Sequence, residues 1–283
     1  MWKEKLCLGL ADNFGVSEEE QIRLIKEAGF DGFFCQDEYK KDLKPLKKTA
    51  DEEGLIFQSV HAPFGGMQFI WHDEGMSVHA MRELLSCIEK TAEIGVPIVV
   101  MHAIIGEQDK RITELGFNNI DVLVKKAERL SVKLAFENTE GEEFLAAVME
   151  RYKGNKTVGF CWDTGHEICY NHGKDMTALY GDRLICTHIN DNLGITDYNG
   201  AITYIDDLHL LPFDGVVDFE SVVKRLNVLG YNGELTFELN KTGKGGKHYN
   251  DVYTKMDLKD YLIEAYKRAC KIAYLKKRIE KNG

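Results

Sequence analysis

Short runs of β-branched and aromatic residues alternate with stretches of helical length along the chain. The runs predict eight strands, at residues 6–11, 32–36, 56–62, 98–103, 134–138, 158–163, 185–190 and 234–239. The stretches between them predict helices, clearly at 17–28, 76–94, 120–130, 144–152, 219–229 and 258–275 and more weakly at 43–53 and 176–180. Strands that alternate with helices form parallel βαβ units. The alternation therefore predicts an α/β fold.

Two architectures can hold eight such units, an open doubly wound sheet and a closed (β/α)8 barrel. A barrel of this type needs about 250 residues, which fits the 283 residues of the chain. An open dinucleotide-binding sheet would carry a G-x-G-x-x-G turn after its first strand. Here Asp12-Asn13-Phe14-Gly15 follows that strand, and the motif is absent from the sequence. We therefore predict a single (β/α)8 TIM-barrel domain over residues 1–283, without a nucleotide cofactor.

Composition excludes several classes of protein. The 36 lysines and arginines against 46 aspartates and glutamates give a net charge of −10, which disfavours a protein that grips nucleic-acid phosphates. The longest apolar stretch, 96–105, is far shorter than the roughly 20 residues that span a bilayer. Residues 1–5 show no signal peptide, and the seven cysteines form no C-x-x-C pair. Together these features predict a cytoplasmic protein with reduced thiols.

Six consecutive predicted strands, the third to the eighth, end in a histidine or a carboxylate. In a barrel the carboxyl ends of all strands meet at one face, where barrel enzymes hold their active sites. Ionisable residues seldom end apolar strands by chance. We therefore expect one functional site at this face, formed by His61, His102, Glu137, Asp163, His188 and Glu238.

The residue types at these strand ends suit a divalent metal. The expected ligands share oxygen or imidazole nitrogen donors and include no thiolate: Glu137, Asp163, His188 and Glu238. Such a set suits Mn2+, Zn2+, Mg2+, Co2+ or Fe2+ and does not choose among them. Further donors at the same face would bind substrate, orient the ligands or hold additional metals: His61, His102, His166, Asp207 and His209.

Structural roles remain alternatives for some of these residues. Asp163 precedes Thr164-Gly165 and is a candidate helix N-cap. Cys161 and Cys186 lie in predicted core strands and are expected to be small apolar fillers. Trp71, together with Phe64 and Phe69, lies in the loop after the third strand and is a candidate cover for a bound substrate.

Five motifs resemble the xylose-isomerase-like TIM-barrel superfamily. They are HAPF at 61–64, ENT at 137–139, CWDTGH at 161–166, HINDN at 188–192 and DLHLLP at 207–212. Members of this superfamily include sugar-phosphate isomerases and epimerases, ketose 3-epimerases, inositol-catabolism enzymes and endonuclease IV. The resemblance extends from the third strand to the eighth.

The epimerase branch of the superfamily implies roles for particular residues. Its four metal ligands match Glu137, Asp163, His188 and Glu238, and the two glutamates of this set also form its acid/base pair. Its substrate contacts match His166 and Glu143. Ketose 3-epimerases carry an arginine six residues after the histidine ligand, where this chain has Gly194. That departure weakens a ketose 3-epimerase assignment and leaves a general isomerase or epimerase.

The endonuclease IV branch offers an alternative. Its nine ligands for three zinc ions are all matched, by the four residues above together with His61, His102, His166, Asp207 and His209. However, the loop after His61 has no lysine or arginine. The loop after His188 also has none, and it carries four aspartates: Asp191, Asp197, Asp206 and Asp207. DNA phosphates would be repelled there unless metals neutralise the charge. A cationic, glycine-rich segment at 241–247 would hold a sugar phosphate or be merely solvated.

The sequence therefore favours a metal-dependent sugar or sugar-phosphate isomerase or epimerase. The expected reaction is proton transfer through a metal-bound enediolate, with Glu137 and Glu238 as acid and base. The alternatives are a zinc phosphodiesterase that acts on abasic DNA and a non-catalytic sugar-binding barrel. The expected partner is a small-molecule sugar; nucleic acid and membrane are disfavoured, and a homo-oligomer stays open.

Overall fold

The computed structural model describes residues 4–106, 111–194 and 205–282; Asp197 and the extreme ends of the predicted 1–283 domain lie outside these ranges. The strands are β1 (Leu6–Gly9), β2 (Gly32–Gln36), β3 (Ile56–His61), β4 (Ile98–His102), β5 (Lys133–Glu137), β6 (Val158–Asp163), β7 (Leu184–His188) and β8 (Leu235–Phe237). The α-helices are α1 (Glu18–Ala28), α2 (Lys44–Glu53), α3 (Phe69–His72), α4 (Glu74–Glu93), α5 (Glu114–Leu130), α6 (Glu142–Arg151), α7 (Thr164–Ile168), α8 (Met176–Tyr180), α9 (Phe219–Val228), α10 (Asp251–Thr254) and α11 (Leu258–Asn282).

The strands form one parallel sheet in the order β7-β6-β5-β4-β3-β2-β1-β8. Its two edges meet just beyond β7, where Ile189 N donates to Thr236 O at 2.7 Å and Glu238 N donates to Ile189 O at 3.3 Å. These contacts bring the sheet round into a nearly closed barrel with helices outside it. The prediction of a (β/α)8 TIM barrel is confirmed.

Strand register places the ionisable residues at the strand ends at the same height along the barrel axis. His102 pairs with Glu137 across β4 and β5, and Asp163 pairs with His188 across β6 and β7. Because paired residues of neighbouring parallel strands lie side by side, the four side chains share one end of the barrel. The site is thus a consequence of register as well as of strand order.

Helix boundaries differ from the prediction where caps and packing outweigh periodicity. The prediction starts one helix at residue 120, whereas α5 begins at Glu114, because the Thr113 side chain accepts a hydrogen bond from Gly116 N at 3.2 Å. Gly116 also lets this turn approach α3, since a Cβ there would overlap the Trp71 ring. The short helices α3, α7 and α10 were not predicted, because one turn is too short to show a period.

Trp71 belongs to the core, and the prediction that it covers a substrate is wrong. Its side chain is fully buried, and its Nε1–H donates to Ala103 O at 2.8 Å. The ring makes edge contacts with Phe117 and Phe144. Trp71 therefore joins α3, α5 and α6 to the end of β4. Its apolar loop position alone did not distinguish this role from a lid.

The barrel interior contains a small apolar cluster of Ile98, Val100, Ala135, Cys161 and Cys186. Both cysteines are fully buried there, as fillers are expected to be, but the sulfur of each also lies within 4.8 Å of a His188 ring nitrogen. Among the described helices, none combines the length and apolarity needed to cross a bilayer.

Candidate active site at the barrel mouth

A cavity of about 760 Å³ opens at the carboxyl end of the barrel. Its wall includes most of the predicted site residues: His61, His102, Glu137, His166, Asp207, His209 and Glu238. Asp163 and His188 are fully buried below them. A volume of this size accommodates a small molecule such as a sugar. The cavity at the barrel mouth is therefore lined and underlain by ionisable side chains.

Four of the donors converge on one point, and we call Glu137, Asp163, His188 and Glu238 the central cluster. One ligand atom from each lies within 4.8 Å of the others. His188 Nδ1 is 2.6 Å from Glu137 Oε1 and 3.0 Å from Glu238 Oε2. Carboxylate oxygens and an imidazole nitrogen at this spacing fit a divalent cation.

Both glutamates of the central cluster are held ionised. Burial by itself would raise the pKa of Glu137, but His188 and hydrogen bonds from His102 and His61 hold it well below its usual range. Burial likewise opposes ionisation of Glu238, yet His188 and His209 lower the pKa of this carboxyl to about 2. Each glutamate therefore carries the negative charge that a metal ligand or a base requires.

Asp163 serves a structural role as well as standing in the central cluster. Its Oδ1 accepts a hydrogen bond from His166 N at 2.6 Å and so caps α7, as its sequence context suggested. Its Oδ2 accepts from Asn190 Nδ2 at 2.7 Å. Burial raises the pKa of Asp163 to about 6, and His166 offsets only part of that effect.

The asparagines and glycine around Asp163 were not singled out from the sequence. Asn138 bonds both backbone groups of Asp163, with its Oδ1 accepting from the Asp163 N–H at 2.8 Å and its Nδ2 donating to the Asp163 carbonyl at 2.9 Å. A Cβ at Gly165 would overlap Asn190 Oδ1. The sequence evidence for these supporting residues was their place in the motifs, because they lie within two positions of Glu137, Asp163 and His188 and hold those residues in place.

His61, His102 and Glu137 form a second group, the histidine-pair cluster, with ligand atoms within 4.8 Å of one another. His61 Nδ1 donates to Ala62 O at 2.8 Å, which leaves Nε2 to face Glu137 Oε2 at 3.4 Å. His102 Nε2 is 3.2 Å from the same oxygen. The pair can hold a second cation, and His102 can donate a hydrogen bond from Nε2 to Glu137.

His166 and His209 also form a group of possible ligands with Asp163, and both contact Asp207; we call His166, Asp207 and His209 the lateral cluster. The Nε2 atoms of His166 and His209 lie 3.3 Å and 2.6 Å from Asp207 Oδ1. His209 holds a left-handed backbone conformation with φ of 48°, which is rare for a residue with a side chain. Lys244 Nζ donates to the other oxygen of Asp207 at 2.8 Å. Burial opposes ionisation of Asp207, but His209 and Lys244 hold its pKa well below its usual range.

Glu143 lies off the cavity wall as the structure describes it. It occupies the first turn of α6, whereas Glu140, three residues earlier, lines the cavity. Glu140 Oε1 accepts a hydrogen bond from Gly106 N at 2.8 Å. A substrate contact by Glu143 stays a prediction. Glu140 is the carboxylate of this loop that lines the cavity.

Phe64 and Phe34 supply apolar wall. Phe64 lines the cavity and stacks on His102 with ring centroids 5.1 Å apart, whereas Phe69 is absent from the described wall. Phe34 stacks on His188 at 4.6 Å, and Gly9 leaves room for it, since a Cβ there would lie 2.6 Å from its ring. The sequence did not single out Phe34, because it reads as an ordinary strand residue.

The sequence of the chain matches a known protein family and an uncharacterized relative. Its residues 22–270 match the family model described as xylose isomerase-like TIM barrel. The uncharacterized protein y4fM of Sinorhizobium fredii is 28% identical over 260 residues, which cover 77% of this chain and 79% of that protein.

Two solved structures share the fold. The IolI protein with a bound zinc atom is similar with a TM-score of 0.72 and 19% identity, over 95% of this chain and 98% of that one. The 3-keto-D-glucoside 4-epimerase YcjR of E. coli is similar with a TM-score of 0.66 and 18% identity, over 93% and 99%. Since the family model covers most of the sequence, this chain belongs to the xylose isomerase-like TIM-barrel family.

Proposed function

We propose that the protein is a divalent-metal-dependent sugar isomerase or epimerase. The observation that carries the proposal is the pair of glutamates, Glu137 and Glu238, which both line the cavity and both contact His188 Nδ1. They belong to β5 and to the residue after β8, so they approach the cavity from different parts of the barrel. A substrate carbon between them would have a carboxylate on either side.

The central cluster fits a divalent cation, and Glu137, Asp163, His188 and Glu238 would hold it. When bound, such an ion polarises a carbonyl oxygen and acidifies the adjacent C–H bond. One glutamate accepts the proton from the carbon. The other returns a proton to the opposite face in an epimerase or to the neighbouring carbon in an isomerase.

The remaining wall residues would bind the sugar. His166 Nδ1 donates to Asn138 O at 3.0 Å, which turns its Nε2 toward the cavity. His61, His102, His209 and Glu140 offer further donors and acceptors for hydroxyl groups. The rings of Phe34 and Phe64 supply the apolar surface that limits water near the reacting carbon.

A relationship to an epimerase and to a zinc-binding protein of the same fold supports this proposal. A zinc phosphodiesterase is the second candidate, because three donor clusters surround one mouth. The wall itself disfavours that candidate, since it presents Glu140, Asp207 and Glu238 while Lys244 is its one lysine or arginine within the described ranges. Phosphates would meet mainly negative charge there.

The proposal is tested with Glu137→Gln and Glu238→Gln. Each change keeps the shape and removes the acid/base group, so we expect turnover to fall by at least about 100-fold, the usual size of an acid–base contribution. The measurement is exchange of a substrate C–H proton with deuterated solvent across a panel of sugars, with metal content determined in parallel.

Glu142→Gln is the matched control, because that carboxylate lies outside the cavity wall and pairs with Lys174 at the surface. Near-normal exchange in either active-site variant would remove the acid/base assignment. Sugar binding without any exchange in the wild-type protein would instead indicate a non-catalytic barrel.

A further inference from the structure

The lateral cluster differs from the other two groups of donors in one respect. Its two imidazoles and one carboxylate are buried and point at each other, as the ligands of a cation do. In addition, an ammonium group lies against its carboxylate, with Lys244 Nζ 2.8 Å from Asp207 Oδ2. Among the described residues, neither the central cluster nor the histidine-pair cluster has a lysine or arginine within ion-pairing distance.

We propose that Lys244 is a built-in cation of the lateral cluster, which prevents a divalent ion from binding to His166, Asp207 and His209. The inference rests on the proposed function and deepens it. It limits the mouth to the central and histidine-pair clusters as metal positions. It also leaves the lateral wall free of metal and open to the hydroxyl groups of an uncharged sugar.

The position of Lys244 is built into the backbone around it. Asn250 Nδ2 donates to Asn240 O at 2.9 Å and to Leu208 O at 3.3 Å. These bonds tie the segment that carries Lys244 to the segment that carries Asp207 and His209. Lys244 is therefore carried by a segment that is fixed against the cavity wall.

Two glycines make the tight path of this segment possible. A Cβ at Gly243 would overlap Lys247 O, and Gly245 has a φ of 55° with its Cβ position against Ile205. Lys247 N donates to Lys244 O at 2.9 Å and closes the turn. The glycine-rich composition thus serves to aim Lys244 at Asp207.

Charge explains why this lysine excludes a metal. A divalent ion on Asp207 would lie next to a fixed ammonium, and like charges at such short range repel strongly where water is scarce. Through its contact with Oδ2, Lys244 also offsets part of the negative charge of Asp207. Removing the ammonium leaves the Asp207 carboxylate with its two imidazole neighbours alone, a donor set typical of a cation site.

The test is the number of ions that the full-length chain binds. Wild-type protein, Lys244→Met and Lys244→Gln are saturated with Zn2+, freed of excess metal by gel filtration and measured by elemental analysis. We expect both neutral variants to hold one ion per chain more than the wild type. With Co2+, the additional site should appear as an increase in visible absorption.

Two controls separate charge from general disturbance. Lys241→Met alters a lysine of the same segment whose Nζ donates to Thr254 O, and Lys244→Arg retains the positive charge. Both should keep the wild-type number of ions. Circular dichroism shows whether each variant is folded, and the glutamine variant provides the measurement should the methionine variant fail to fold.

The outcomes distinguish this inference from the proposed function. A wild-type protein that binds no divalent metal contradicts the proposed function. A wild-type protein that binds metal, with no gain in either neutral variant, overturns the role of Lys244 alone. Three ions in the wild type, or a gain in Lys244→Arg, would also overturn it.

Discussion

At the scale of single residues, the site depends on side chains that are oriented by their own neighbours. His61 and His166 each donate from Nδ1 to a backbone carbonyl, of Ala62 and of Asn138. Each ring therefore presents Nε2 to the mouth. Hydrogen bonds of this kind fix the tautomer and direction of a ligand or substrate-binding histidine. The donors were recognisable in the sequence, whereas their orientation depends on backbone that only the fold brings near.

Metal affinity should increase with pH between about pH 5 and pH 8. Burial by itself would lower the pKa of His188, but Glu137 and Glu238 raise it well above its ordinary value. The ring is thus protonated in metal-free protein at low pH and must lose that proton to bind a cation. Asp163, with a pKa of about 6, must also ionise. Both changes favour binding as pH rises.

Isothermal titration with Zn2+ or Mn2+ in non-chelating buffers measures this dependence. The expected release of protons on binding should be largest at the acidic end. His248→Asn is a suitable control, because that histidine is exposed and pairs with Asp251 at the surface, away from the cavity. An affinity that is constant or falls with rising pH would contradict the coupling between His188, Asp163 and the metal.

At the scale of elements, the strands position the metal-ligand candidates at their ends, and the loops determine which further residues line the cavity. Register sets His102 beside Glu137 and Asp163 beside His188, so the central groups follow from the parallel ladder. Glu140 and Glu143 show the opposite case. Gly141 takes a left-handed conformation with φ of 70° before α6 begins, and that turn separates a wall residue from a helix residue. Sequence spacing does not contain this information.

Trp71→Ala should destabilise the fold by about 3–5 kcal/mol, the usual range for removing a large buried aromatic side chain. The change leaves a cavity between α3, α5 and α6 and removes the hydrogen bond to Ala103 O. Denaturant unfolding followed by circular dichroism measures the loss.

Val78→Ala is the control on the neighbouring helix α4, since Val78 is 67% exposed and surface changes usually stay within about 0.5 kcal/mol. If Trp71→Ala lowered the free energy of unfolding as little as the control does, Trp71 would instead be a cover over the cavity and not a core residue.

At the scale of the whole molecule, charge distinguishes the two candidate chemistries. The chain has a net charge of −10, and the mouth adds Glu140, Asp207 and Glu238 to that negative surface. The loop after β3 has no lysine or arginine as far as Trp71. Long-range fields of this sign reduce the association of polyanions and have little effect on neutral sugars.

The protein should therefore show no metal-dependent cleavage of a duplex that contains an abasic site. A gel assay with labelled DNA and Zn2+ or Mn2+ measures this, and C–H exchange on sugars by the same preparation shows that it is active. Cleavage that requires metal and disappears in Glu137→Gln would support the phosphodiesterase instead.

Local sequence patterns were enough to predict the alternation of eight strands with helices, the ionisable residues at six strand ends and the resemblance to one family. These features are local, because strand and helix periods and the motifs at their ends extend over a few residues. By contrast, the folded chain was needed to show that Trp71 packs in the core, that Glu140 lines the cavity and that Lys244 pairs with Asp207. Those contacts join residues far apart in sequence, such as Asp207 and Lys244, which are 37 positions apart. They depend on loop paths and on the packing of helices around the closed barrel, which no local pattern encodes.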